Sequence, residues 1–213
     1  MGLSCNCPLG TALPDIPNME CKESLGQIQK ILIQRLYKTA GERNTITSPT
    51  TKASWTALLS AKDGTKVVVT PTVENPENTP GGKRTTGGGN ASVGGIEKVI
   101  GREPTTFTGS LNEIPQTIAS ALKKLSCENI AVAFVDEFGR IAMYCDNPAK
   151  PTTYGMFPVA GFFIGDKKFG NLEDVDSNAI EFSLFPNWSD NLTIVTPSDF
   201  NALDLANVSG ASD

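Results

Sequence analysis

No histidine occurs anywhere in the 213 residues. Serine or cysteine nucleophiles activated by a histidine are therefore excluded, and so is every zinc site that needs an imidazole ligand. A Ser–Lys pair needs only two residues and stays open, although no spacing recommends it. Cysteine is sparse, at Cys5, Cys7, Cys21, Cys127 and Cys145. An odd number without a framework of spacings predicts reduced thiols in a cytosolic setting. Cys5-x-Cys7 is too tight for a zinc knuckle, which leaves only an all-thiolate site drawn from distant positions. Long apolar runs are missing, and none approaches the length of a membrane span. Residues 1–20 lack both a basic start and a continuous apolar region, so no secretory leader is expected. The start Met1-Gly2-Leu3-Ser4-Cys5-Asn6 has Asn6 where a myristoylation motif needs Ser or Thr. Positive charge is also short. A net charge of −5 argues against a broad basic face for nucleic acid.

Turn-forming residues are plentiful instead. Twenty Gly and fourteen Pro, with frequent Asn and Thr, favour β-structure with long connections over a helical bundle. Residues 1–24 are dense in proline and read as an irregular arm, either docked on a partner or laid on the same domain. Residues 26–38 (GQIQKILIQRLYK) favour a strand by β-branched content, while their periodicity leaves a helix as the alternative. Residues 50–61 place Trp55, Leu58 and Leu59 at helical spacing, with Thr51 or Ser54 as cap. Strands are expected at 66–70, 96–100 and 105–108. Residues 112–125 form the clearest helix: Asn112 suits the N-cap, Pro115 the first turn, and Ile114, Ile118, Leu122 and Leu125 make one stripe. Residues 129–135 and 140–145 flank Asp136-Glu137-Phe138-Gly139, which reads as a β-hairpin with a solvated tip. Strands follow at 159–164, with Gly165-Asp166 as a turn, at 178–184 and at 192–195. In 178–184 (NAIEFSL), Ile180, Phe182 and Leu184 alternate with Glu181 and Ser183. A helical turn capped by Ser198 and a polar, frayed end complete the chain. The expected fold is α+β, mainly β: a β-sandwich or barrel with one flanking helix, a long Gly-rich loop and an extended N-terminal arm. Its parts are an arm at 1–24, a single domain at 25–205 with an extended loop at 75–95, and a flexible tail at 206–213.

The Gly-rich stretch 80–95, PGGKRTTGGGNASVGG, is the most unusual segment, with seven glycines. A P-loop requires Ser or Thr after Gly-Lys and a helix to follow; here Gly82-Lys83 precedes Arg84 and no helix begins. A long polar loop inside a domain orders on contact with something else, or is functional. Lys83 and Arg84 are the only charges in it, available for acidic groups on another subunit. Among carboxylates, Asp136, Glu137, Glu173, Asp174 and Asp176 are the candidates for a pair. Asp174-x-Asp176-x-Asn178 opens like a calcium loop, but no Gly follows and Glu181 comes too early. The sequons at Asn90, Asn187, Asn191 and Asn207 are chance matches in a chain without an export signal. Phe185 and Trp188 are expected to cap a core under a loop.

Four segments carry a resemblance: ASWTALLSAKDGTKVVVTP (53–71), the loop at 80–95, IPQTIASALKKL (114–125) and FFIGDKKFGNLEDVDSNAIEFSLFPNWSDNLTIVTP (162–197). Their order resembles the tail tube and neck-connector ring proteins of tailed bacteriophages, and their character is similar to virion proteins of phages of gut Bacteroidetes, including the crAss-like group. The resemblance implies a non-enzymatic subunit with no catalytic residue, metal or cofactor. It would assemble with copies of itself in a six- or twelve-fold ring beside other virion proteins such as the portal, around a channel through which DNA passes without specific binding. Negative walls would repel DNA and let it slide. The expected location is the virion, assembled in the host cytoplasm without a membrane. The interface candidates are Gly81, Gly82, Lys83, Arg84, Gly87, Gly88, Gly89 and Asn90 in the loop, and Cys5 and Cys7 in the arm. The alternatives are a capsid decoration or head-fibre protein of the same virion, and a non-viral surface binding module.

Overall fold

The strand β1, Ile28–Arg35, shows why its sequence has no clear period. Ile31 and Ile33 enter one apolar core and Leu32 enters another. A strand buried on both faces reads as a continuous apolar run. In the computed structural model, which describes residues 24–208 and Ile16, a small hairpin of β2 (Tyr37–Thr39) and β3 (Glu42–Arg43) follows, then helix α1 (Lys52–Ser60) and β4 (Val67–Val69). Next come β5 (Glu74–Thr79), β6 (Lys83–Gly87), β7 (Glu97–Arg102), β8 (Thr105–Asn112) and helix α2 (Gln116–Lys123). The remainder is β9 (Ile130–Asp136), β10 (Ile141–Cys145), β11 (Tyr154–Gly155), β12 (Phe157–Lys168), β13 (Ser177–Leu184) and β14 (Leu192–Val195).

The protein is mainly β, with one large antiparallel sheet and two α-helices. Ten strands join that sheet along the path β11-β10-β9-β12-β13-β8-β5, with β1 on β9, β4 on β1 and β14 on β10. The joint is β12. Its first residues pair with β9 (Phe157↔Val132) and its later ones with β13 (Val159↔Leu184 through Lys168↔Ser177). Between them the register shifts from Ala160 to Phe163, around Gly161 at φ +65°. A bulge at a left-handed glycine bends the strand. The sheet curls as a result. Phe107 of β8 and Phe134 of β9 stand three strands apart, about 14 Å in a flat sheet, yet their ring centroids are 5.3 Å apart.

The first core fills this curl. It joins Ile31, Val132 and Phe134 to Phe107, Ile180 and Phe182, and Ile114, Ala119 and Leu122 from the α2 region close it. The second core lies on the other face of β1 and β9. There Leu32, Ala133 and Val135 meet Trp55 and Leu59 of α1, with Ala202 and Leu205. Trp55 is fully buried, and its indole N–H is satisfied by donating to the Pro49 carbonyl at 2.8 Å.

Several expectations change. Two helices flank the sheet rather than one, because α1 and α2 cover opposite faces of β1 and β9. The start of α1 is capped by neither Thr51 nor Ser54, whose hydroxyls bond each other at 3.1 Å; Lys52 N donates to Asp199 Oδ1 at 2.8 Å. The helix expected at 112–125 begins at Gln116 and gives way to a 3-10 turn at Lys124–Cys127. Asn112 does not cap it. It is the last residue of β8, paired with Ser177, and Glu113 makes the reversal at φ +52°. Sheet pairing here outlasts the local capping preference. Gly165 and Asp166 lie inside β12 rather than in a turn, and Gly165 lets Ala179 pack close, since a Cβ would stand 3.3 Å from the Ala179 Cβ. The last turn, Ala202–Asp204, is capped by Asn201, not Ser198. The tail expected to be flexible from 206 is tied down at its second residue: Asn207 accepts from Val69 N at 2.8 Å and donates to Val69 O at 2.7 Å. Its amide thus satisfies the outer edge of β4, as another strand would. The arm at 1–24 lies outside the described residues apart from Ile16 and Ser24. Among the described residues no helix is long and apolar enough to cross a membrane.

Candidate functional site

Residues 75–95, expected as an extended loop, contain most of β5 and all of β6. Pairing of β5 with β8 ends at Thr79↔Thr106, and the chain then leaves the sheet. Gly81 makes the neck. A Cβ there would overlap the Glu103 carbonyl, and Glu103 N donates to Gly82 O at 2.9 Å. Beyond the neck, β6 and β7 pair from Lys83↔Arg102 to Gly87↔Glu97, with a shift in register after Arg84. Thr85, Thr86, Val99 and Ile100 supply the β-branched content that favours this ladder. The tip reverses through Gly87, Gly88 and Gly89 at φ +82°, +98° and +50°. Asn90 lies in the short 3-10 turn that follows. Ser92 Oγ accepts from Gly88 N and donates to Ile96 O, both at 2.9 Å, so the tip is tied to itself. Substitution Gly81→Ala is expected to force the two backbones apart at the neck. We expect a loss of about 1–2 kcal/mol in urea denaturation, with faster hydrogen exchange at the Glu103 amide.

Every loop residue singled out from the sequence, Gly81 to Asn90, therefore sits on one projecting hairpin. Cys5 and Cys7 lie outside the described residues. Sequence reasoning expected the other strand, at 96–100, but missed its pairing with 83–87 and the apolar side chains it exposes. Val93, Ile96, Val99 and Ile100 are all exposed along it. Lys83 pairs with Glu97 at 3.4 Å, whereas Arg84, Lys98 and Arg102 form no ion pair among the described residues. Its signal was the run IEKVIGR, which balances KRTTG across the glycines.

The connection between β12 and β13 exposes a second apolar group: Phe169 (82 % exposed), Leu172 and Val175. Its backbone is shaped by Asn171 Oδ1, which accepts from Glu173 N at 2.7 Å and Asp174 N at 2.9 Å. Gly170 N donates to Asp176 Oδ1 at 2.9 Å and, with Lys167 nearby, holds that carboxyl below its usual range. Asp166 is held low by its hydrogen bond and ion pair with Lys123. A calcium loop is not formed here. Asn178 is buried within β13 and donates to Gly165 O at 3.0 Å. Among the described residues no group of three or more His, Cys, Asp or Glu is arranged to hold a metal.

Asp136 is not a solvated tip residue; it is fully buried. Oδ1 accepts from Phe138 N at 3.0 Å and Arg140 N at 2.9 Å; Oδ2 accepts from Gly26 N at 3.1 Å and Arg140 Nε at 2.8 Å. Burial pushes its carboxyl up, but the bonds from the Arg140 side chain and from the Arg140 and Gly26 amides outweigh that, and it titrates below the usual range. The role is structural: it ties the entry of the chain to the β9–β10 hairpin. An open groove of about 830 Å³ runs between β4 and α2, past Lys30, Val68, Ile118 and Leu205. Its cation is already committed, since Lys30 Nζ donates to Leu203 O at 2.6 Å and Leu205 O at 3.2 Å. The projecting hairpin is thus the feature with unsatisfied binding capacity, both apolar and cationic. No family model matches the chain, and no curated protein or solved structure matches it.

Proposed function

We propose that this chain is a structural subunit of a phage tail tube or neck ring, a β-sandwich block that assembles with copies of itself around a channel for DNA. The observation that carries the reading is the β6–β7 hairpin. It stands off the sheet on a glycine neck and presents Val93, Ile96, Val99 and Ile100 to solvent. Each such side chain contributes about 1.5 kcal/mol or more when buried, so a neighbouring surface that covers them gains several kcal/mol. The curled sheet, with its first core between the halves and α2 closing it, supplies a rigid body for such an arm. In a six- or twelve-fold ring the contact is heterologous, one patch meeting a different one. The net charge of −5 suits a duct that DNA slides through.

Light scattering and negative-stain imaging of the purified protein test this. Rings or tubes with a central hole are expected, and a stable monomer or a threefold oligomer would overturn the reading. A shortened chain isolates the arm. Gly82 and Glu103 already face each other, so deletion of residues 83–102 leaves the short connection Pro80-Gly81-Gly82-Glu103-Pro104. It is expected to change stability by no more than about 1 kcal/mol, since shortening a loop costs little, while assembly drops sharply. An unfolded product would mean that the hairpin belongs to the core of the fold.

A further inference from the structure

The two exposed apolar groups sit at opposite ends of the same pair of strands. In β8 and β13 the register runs from Thr105↔Leu184 at one end to Asn112↔Ser177 at the other. The β6–β7 hairpin departs beyond the first end, and the 169–176 connection emerges beyond the second. Eight residues of strand separate them, about 26 Å at the usual rise. One copy therefore cannot bring its own hairpin to its own connection.

The two ends are also opposite in charge. Residues 80–104 carry Lys83, Arg84, Lys98 and Arg102 against Glu97 and Glu103, in a chain whose net charge is −5. Residues 166–176 carry Asp166, Glu173, Asp174 and Asp176 against Lys167 and Lys168, and exposed Glu113 lies alongside. Glu173 has no ion-pair partner among the described residues, and Asp174 only a distant one, Lys168 at 3.9 Å. Unpaired cations beside exposed Val99 and Ile100 thus have a counterpart in unpaired Glu173 and weakly paired Asp174 beside exposed Phe169 and Leu172. Charge complementarity of this kind fixes the register of two surfaces and disfavours like-with-like contact.

We propose that the β6–β7 hairpin of one copy docks on the 166–176 connection of the next, in a head-to-tail contact directed along β8 and β13. This rests on the assembly reading above and deepens it by naming the acceptor. A heterologous contact between opposite ends does not close within a pair; it closes into a ring where the rotation between copies allows and otherwise repeats as a stack. Because it is directed along β8 and β13, it is assigned to the contact between layers, a stack rather than a single ring.

Two charge-reversal variants test the assignment. One carries Lys98→Glu and Arg102→Glu, which disable the hairpin; the other carries Glu173→Lys and Asp174→Lys, which disable the acceptor. All four side chains are exposed, and circular dichroism checks that both variants fold. Each alone is expected to stop at a single layer at about tenfold the protein concentration at which the natural chain stacks. Mixed, each variant's hairpin meets an acceptor of opposite charge on the other variant, so the two should stack together in alternation, as the mass by light scattering shows. Both reversals in one chain should restore stacking. If either variant alone stacks like the natural chain, or if the mixture does not stack, the acceptor is wrong while the assembly reading survives. If the natural chain itself stays monomeric, the assembly reading falls and this contact with it.

Discussion

Replacement of Phe182 by alanine is expected to cost about 4 kcal/mol, within the range found for large aromatic deletions in cores. Phe182 is 1 % exposed and stacks on Phe107 with centroids 4.8 Å apart. It also lies 6.1 Å from both Phe134 and Phe162. These rings come from β8, β9, β12 and β13, so the side chain holds the two halves of the curled sheet together. Its loss leaves a cavity bordered by strands that are locked by their own ladders and cannot collapse into it. Aromatic pairing adds to the area lost. Urea denaturation reads the change as a lower midpoint at unchanged slope. A loss below about 1.5 kcal/mol would mean that the halves are held together elsewhere.

Asp136→Asn is expected to cost about 3 kcal/mol at neutral pH, because removing one member of a buried ion pair leaves the other uncompensated. Asparagine keeps the size but turns one acceptor into a donor, aimed at the Gly26 amide or the Arg140 guanidinium. The pH dependence follows from the direction of the shift. Burial, which raises the carboxyl, is outweighed by the Arg140 side chain and the Arg140 and Gly26 amides, so the folded value lies below the unfolded one, which is about 3.9. The stability it contributes is therefore full above that unfolded value and is lost as pH falls through the folded one. The gap between the natural chain and the Asn variant should be widest at pH 7 and shrink below about pH 4. Some acid sensitivity remains in the variant, since Glu42, Asp63, Asp166 and Asp176 are also held low. An equal gap at pH 7 and pH 3 would show that the carboxylate form of Asp136 is not what stabilises the fold.

How legible each part was depends on how many faces it buries. In β13, Ile180, Phe182 and Leu184 are buried while Glu181 is exposed, and this one-sided burial is written as strict alternation. In β1 both faces are buried, so the period is erased and composition alone pointed to a strand. The arm residues were recognisable as a set, because glycine at positive φ has no substitute in a tight reversal. Their ordering was not, since β6 is held by Glu97–Arg102 across the tip and polar threonines give little apolar pattern to read. Asp136 looked like a hairpin tip because its burial depends on Gly26, a residue 110 positions away in the chain.

Composition and local pattern thus settle the mainly β class, the positions of most strands, the exclusion of histidine chemistry and the singularity of residues 80–95. These properties depend on residue type and near neighbours. The bend at Gly161, the second helix-covered face, the end of β8 overriding the Asn112 cap and the placement of two oppositely charged apolar groups at opposite ends of β8 and β13 are products of register. Register is set by long-range pairing among strands from distant parts of the chain, and no local window of sequence contains it.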